Sequence, residues 1–272
     1  MKTIIIATDF SESAINATKY AADLAEVIDA DLLLMHVYQL PVSFGEVPIP
    51  IYGEDLESGA SKKLDEIKVE LETSTSNNLK VNTLVKAGLF FNELRTVCEE
   101  IKPYAIVMGS QGTTAAERFW FGGHTVYAMK HLMWPLLTIP PTANFSAIKK
   151  IGLACDFDKI EKTVPVNEIK NIVEDFNAEL HVLNIGKKEN FNAAIVFESA
   201  VLRDLFAPVK INYHFLSDDD TSDNIIGFTQ NHQLDLLVVL PKHHSLLDLI
   251  FHKSYSKDMV LHSQVPVLTM HR

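Results

Sequence analysis

Ala105-Ile106-Val107-Met108-Gly109-Ser110-Gln111-Gly112 is the stretch on which the reading of this chain turns. Four apolar residues suit a strand buried on both faces. Glycines follow at once, where a backbone N–H can turn toward a ligand without a Cβ in the way. After nine intervening residues come Gly122-Gly123-His124-Thr125, opening an amphipathic, helix-like pattern. A helix start supplies orphan N–H groups and a dipole that favours anions. Strand, glycine-rich loop and helix start together describe a phosphate cradle. A tight strand-to-helix connection would read the same way on spacing alone.

Outward from this stretch, strand and helix patterns alternate. Residues 3–8 form an apolar strand. Ser11 is placed to cap a helix with Ala14, Ala17, Ala21, Leu24, Ala25 and Ile28 facing inward. Leu32 to Val37 is a second buried strand. Leu56, Ala60, Leu64, Ile67 and Leu71 mark a second helix. Leu79, Val81, Thr83 and Val85 alternate as on a half-exposed strand. Phe91, Leu94, Cys98 and Ile101 mark a third helix, and Leu136 to Ile139 the last strand. Strands alternating with helices predict a parallel sheet covered on both faces.

The pattern then repeats. Lys2-Thr3-Ile4-Ile5-Ile6-Ala7-Thr8-Asp9-Phe10 returns as Lys149-Lys150-Ile151-Gly152-Leu153-Ala154-Cys155-Asp156-Phe157. His131-Leu132-Met133-Trp134-Pro135-Leu136-Leu137-Thr138 returns as His262-Ser263-Gln264-Val265-Pro266-Val267-Leu268-Thr269. Matches at both ends and in order point to a duplicated domain. The expected division is 1–141 and 147–272, with Pro140 to Asn144 as a short polar linker.

Composition narrows the function. Net charge is −11, to which residues 1–140 contribute −7 and the remainder −4, so neither half suits nucleic acid. Two cysteines, Cys98 and Cys155, make no disulfide framework and suit a reducing cytoplasm. No apolar run approaches a membrane span, and the apolar start is cut by Asp9. His243, His244, His252 and His262 lack a recognised zinc spacing, so no metal site is expected. No Ser-His-Asp order or Gly-Lys-Ser/Thr element offers a catalytic set; at most a slow hydrolysis of bound nucleotide is expected.

In open parallel sheets ligands sit beyond the carboxyl ends of strands where the strand order reverses. Asp9 follows the first strand and Gly109 the fourth. If those strands are neighbours, the carboxylate faces the glycine loop across one crevice. Helix capping is an equally good occupation for Asp9 and for Asp156. Arg118 can pair with a phosphate or remain solvated. Phe119-Trp120-Phe121 can form a lid or pack inside the fold. His36 reads as a satisfied residue within an apolar strand, and Cys98 as inert core.

With Thr8-Asp9-Phe10-Ser11 and Gly109-x2-Gly112-x9-Gly122, the chain resembles the universal stress protein family in its tandem two-domain form. The resemblance implies an α/β fold of two Rossmann-like five-stranded parallel sheets, each of order 3-2-1-4-5. It implies a stress-response protein binding ATP or another adenine nucleotide, with or without a divalent cation, as a structural or regulatory ligand. Asp9 would contact ribose and the Val37 backbone the adenine. Gly109, Gly112, Gly122, Gly123, His124 and Thr125 would line the phosphates. One departure is Gly123, which stands where the family pattern has a serine or threonine. The missing charge-assisted hydrogen bond would weaken binding by about 1.5–3 kcal/mol.

The second copy departs further. Leu240-Pro241-Lys242-His243 aligns with Gly109-Ser110-Gln111-Gly112, and Lys253 with Gly122. Pro241 has no N–H to donate. Asp158 adds an acid where phosphate would lie. This copy is expected not to bind nucleotide in the family manner. The alternative for the whole chain is a ligand-independent interaction module, its last strands pairing as an intramolecular pseudo-dimer or between chains, with an unidentified protein as partner.

Overall fold

A computed structural model describes residues 2–40, 53–75, 79–110, 125–157, 159–185, 193–216, 221–241, 259–260 and 262–271. The first half runs β1 (Lys2–Ala7), α1 (Glu12–Ile28), β2 (Ala30–Tyr38), α2 (Gly53–Ser74), β3 (Val81–Ala87), α3 (Phe90–Ile101), β4 (Ala105–Gly109), a helical segment α4 (125–131) and β5 (Leu136–Ile139). The second half runs β6 (Lys150–Ala154), α5 (Ile160–Thr163), α6 (Val166–Phe176), β7 (Glu179–Ile185), α7 (Ala193–Phe206), β8 (Ile211–Leu216), α8 (Thr221–Asn231), β9 (Leu236–Val239) and β10 (Val267–Thr269).

The expected strand order 3-2-1-4-5 appears twice, but the two sheets are fused. Ten strands lie in the order β3-β2-β1-β4-β5-β10-β9-β6-β7-β8. All neighbours are parallel except β5 and β10, which pair antiparallel with Leu268 opposite Leu137. Thr138 strengthens this seam by donating its hydroxyl to the Val267 carbonyl at 3.1 Å. Each half thus caps the other's edge strand, removing two open edges.

Strand side chains alternate between two cores. Ile4, Ile6, Val107, Ile151, Leu153 and Val238 point to one face, under α1, α2, α6 and α7. Ile5, Met35, Ile106, Met108, Leu237 and Val267 point to the other, under α3, α4 and α8. Both cores run across the seam.

Helix α1 begins as expected, with Ser11 Oγ accepting from the Ala14 N–H at 3.2 Å. Its predicted inward face is buried throughout. Alanines there let the helix lie close to the sheet. The counterpart of α1 in the second half is broken into α5 and α6 at Pro165, which lacks an N–H and opens α6 instead.

Several expectations need correction. Leu56 and Ile101 lie on the rims of their helices and stay exposed. Leu79 is buried but precedes β3, which starts at Val81. Residues 140–144 are tied down: the Ala143 N–H closes a turn onto Pro140, and Asn16 Nδ2 holds the carbonyls of both Pro140 and Ala143. Further ties join the halves. Asp175 on α6 accepts from Lys2 Nζ at 2.5 Å and from the Tyr104 hydroxyl at 2.8 Å.

Candidate functional site

The site grows from the end of β1. The Thr8 N–H continues the ladder to the Met35 carbonyl at 2.9 Å. The Thr8 carbonyl is held by His36 Nδ1 at 2.8 Å. A carbonyl only accepts, so Nδ1 carries the proton. His36 is therefore satisfied as expected, although half-buried rather than core.

The chain then turns sharply. Phe10 takes φ of 68°, the left-handed region that bulky residues avoid at a cost of order 1–2 kcal/mol. Three groups hold it there. Thr8 Oγ1 accepts the Phe10 N–H at 3.1 Å, Asp9 Oδ1 accepts the Ser11 N–H at 2.9 Å, and the Phe10 ring lies 4.5 Å from the His36 ring. Lys63 Nζ sits 5.1 Å from the Phe10 ring centre on the α2 side. Asp9 thus does not cap α1, which is Ser11's role. It spends one oxygen on the turn, and Oδ2 has no hydrogen-bond partner among the described residues.

On the neighbouring strand, Gly109 closes β4. A Cβ there would run into Ser13 Oγ and sit 3.0 Å from the Ser13 carbonyl oxygen. The first turn of α1 crosses the end of β4 so closely that only glycine fits. The Gly109 carbonyl accepts the Thr125 hydroxyl at 3.1 Å, and the Ser110 N–H goes to the Ile139 carbonyl at 2.9 Å. Thr125 is buried, so its hydroxyl supports the strand end from within.

β1 and β4 are direct neighbours, with Ile4 opposite Ala105 and Ile6 opposite Val107. Asp9 and Gly109 therefore lie side by side at the carboxyl edge, where the strand order reverses. Val37 lies on β2, one strand from Asp9, and is half-buried. Gly112, Gly122, Gly123 and His124 lie outside the described residues, as do Arg118 and Phe119 to Phe121.

The second half repeats the scaffold at the end of β6. The Cys155 N–H goes to Leu183 at 3.0 Å, and Asn184 Nδ2 holds the Cys155 carbonyl at 3.0 Å, as His36 holds Thr8. Phe157 repeats the left-handed turn with φ of 52°. Beyond it the likeness ends. Glu198 reaches over from α7 and accepts the Ile160 N–H at 3.0 Å. This carboxylate therefore meets the chain four residues after Asp156, at the start of α5. Asp158, Lys242, His243, His244, His252, Lys253, Ser254 and Ser256 lie outside the described residues.

Two features escaped the sequence reading. The His36 and Asn184 contacts join unlike residue types across strands, which no single-copy motif reveals. The repeated Asp-Phe pair was visible, but a phenylalanine gives no hint of a left-handed turn.

The universal stress protein family model matches residues 1–140. A universal stress protein of Methanocaldococcus jannaschii is 28% identical over 141 residues, covering 51% of this chain and 81% of that protein. Among solved structures, a universal stress protein from Archaeoglobus fulgidus superposes with a TM-score of 0.75 at 18% identity, covering 99% of this chain and 96% of that one. A functionally unknown protein of Pseudomonas aeruginosa gives 0.65 at 13% identity, covering 99% and 92%. Two copies of the 3-2-1-4-5 order, an aspartate turn after β1, a glycine forced at the end of β4 and the family match over the first half lead to one conclusion: this chain belongs to the universal stress protein family.

Proposed function

We propose that the crevice between β1 and β4 takes an adenine nucleotide, ATP or a close relative, as a structural or regulatory ligand. The observation that carries this reading is the pairing of β1 with β4, which sets the Asp9 carboxylate beside the Gly109 strand end. Asp9 keeps one oxygen for a ribose hydroxyl after fixing its own turn. Val37 offers backbone to a base, and the glycines that follow Gly109 in sequence offer N–H groups to phosphates. The second half, with Glu198 against its first helix, supports a single nucleotide per chain.

The test is the nucleotide content of the purified protein. Denaturation followed by mass spectrometry should release adenine nucleotide, or millimolar ATP should raise the melting temperature. The absence of both release and thermal shift would end this reading.

A second reading draws on the packing of the same residues. Gly109 is already required by Ser13, and the Thr125 hydroxyl is already spent on Gly109. A ligand-independent interaction module would keep both. Replacing Gly112 with valine separates the two: the nucleotide reading requires lost binding and lost cellular function, the module reading an unchanged protein.

A further inference from the structure

Far from the crevice, at the outer edge of the second half, three histidines meet beneath α8. His181 on β7 lies with Nδ1 3.0 Å from His214 Nε2 on β8, their rings stacked at 12°. His181 Nε2 faces Glu179 Oε2 at 3.4 Å. Phe228 of α8 covers His214 with ring centres 4.6 Å apart, and His232, just past the end of α8, stacks on Phe228 at 3.7 Å. His214 and His232 ring centres are 5.7 Å apart. Lys150 on β6 reaches the His232 carbonyl, and Asp235 is occupied by the Lys149 and Lys150 N–H groups. Glu179 is the one acid in direct contact with an imidazole of this cluster among the described residues.

Proton counting makes this geometry sensitive to acid. The pattern that satisfies every nitrogen in line has His214 Nε2–H donating to His181 Nδ1, and His181 Nε2–H donating to Glu179. One N···N contact holds one proton. Protons on both facing nitrogens at once would set N–H against N–H. A proton added at the far nitrogen of His214 creates a cation between Phe228, His181 and His232. Burial, then the two neighbouring imidazoles, hold His214 below the ordinary histidine range.

We propose that the His181–His214–His232 cluster is an acid-sensitive latch that holds α8 on the second half's outer strands when neutral and loosens it when protonated. His214 resists a proton while packed and accepts one when α8 lifts. The opened form therefore binds more protons, and the latch is closed above the ordinary histidine pKa of about 6.5 and weakens as pH falls below it. Phe228 and Ile225 are the α8 residues that such opening would expose.

Hydrogen exchange on the full chain at pH 7.5 and 5.5, corrected for intrinsic rates, tests this. Peptides spanning α8 and β8 should lose protection by at least about threefold relative to α1 and β1. His214→Gln, which retains a donor without titrating in this range, should abolish that loss. Unchanged α8 protection in the parent protein, or the same loss in the variant, overturns the proposal. If His214→Gln lowers the melting temperature at pH 7.5, His232→Gln at the exposed helix end replaces it. That variant should keep neutral-pH protection and reduce the acid loss; an undiminished loss overturns the latch.

Discussion

His36 holds the carbonyl oxygen of Thr8 at 2.8 Å, one residue before Asp9. The second half keeps the contact with a different residue, Asn184 on Cys155. Both fix the strand end from which the left-handed phenylalanine turn departs. His36→Asn should therefore be tolerated, since an amide does the same work one half-chain away. His36→Leu should cost about 1–3 kcal/mol by leaving a half-buried carbonyl unpaired. Urea denaturation of the two variants checks this, and equal losses would refute it.

The Ser13 and Gly109 pair yields a prediction of opposite signs. Ser13 Oγ is buried with no hydrogen-bond partner among the described residues and lies where a Gly109 Cβ would go. Ser13→Ala should be neutral or stabilising, because it removes a buried unpaired hydroxyl. Gly109→Ala should destabilise by about 1–3 kcal/mol through overpacking. The double variant should recover only part of that loss, since the Ser13 backbone carbonyl remains 3.0 Å from the new Cβ. Thermal melts of all three proteins decide it.

Much of this fold is legible in the sequence. The buried face of α1 and the Ser11 cap follow from apolar spacing, which is local and periodic, whereas the neighbouring of β1 and β4 is implied only by the family resemblance. The fusion of ten strands into one sheet was legible only as a possibility in the apolar runs Leu136 to Ile139 and Val267 to Met270. Register across such a seam depends on residues 131 apart in sequence, and periodicity carries no such information. The site was half legible. Asp9 and Gly109 stand where the motif put them, but the motif is silent on why Gly109 is glycine. That reason is the distance between α1 and β4.

Asp175 links the halves and should behave as a shared acceptor. It takes Lys2 from β1 and Tyr104 from the approach to β4. Burial foremost, then the hydrogen bond to Asp175, raises the Tyr104 hydroxyl well above its ordinary range. Tyr104→Phe should cost about 1 kcal/mol, because Asp175 keeps Lys2. Asp175→Ala strands both donors and should cost about 2–3 kcal/mol. A double-mutant cycle should return clear coupling; additive losses would show that the two contacts are independent.

Cys98 should be silent to thiol reagents in the folded protein. It is fully buried on α3, and burial with Glu99 nearby pushes its thiol up to about 12. At pH 8 only about one thiol in ten thousand would be ionised, and none of it is accessible. Its labelling rate should track global unfolding in denaturant. Rapid labelling of Cys98 in buffer would contradict the burial.

The seam itself can be opened from one end. β10 is three residues long, yet it pairs with β5 on one side and β9 on the other. Its residues are all buried, as are those of β5. Ending the chain after Ser263 removes β10 and the His271 contact to the Met129 carbonyl. The edge of Leu136 to Ile139 then lies open, a buried apolar strand with unpaired N–H and C=O groups. Such an edge pairs with another chain. The truncated protein should therefore self-associate, detected as dimers or larger species by light scattering at concentrations where the full chain gives one smaller species. A truncated chain that stays monomeric and folded would mean that the helices alone hold each half together, and that β10 contributes little to closing the sheet.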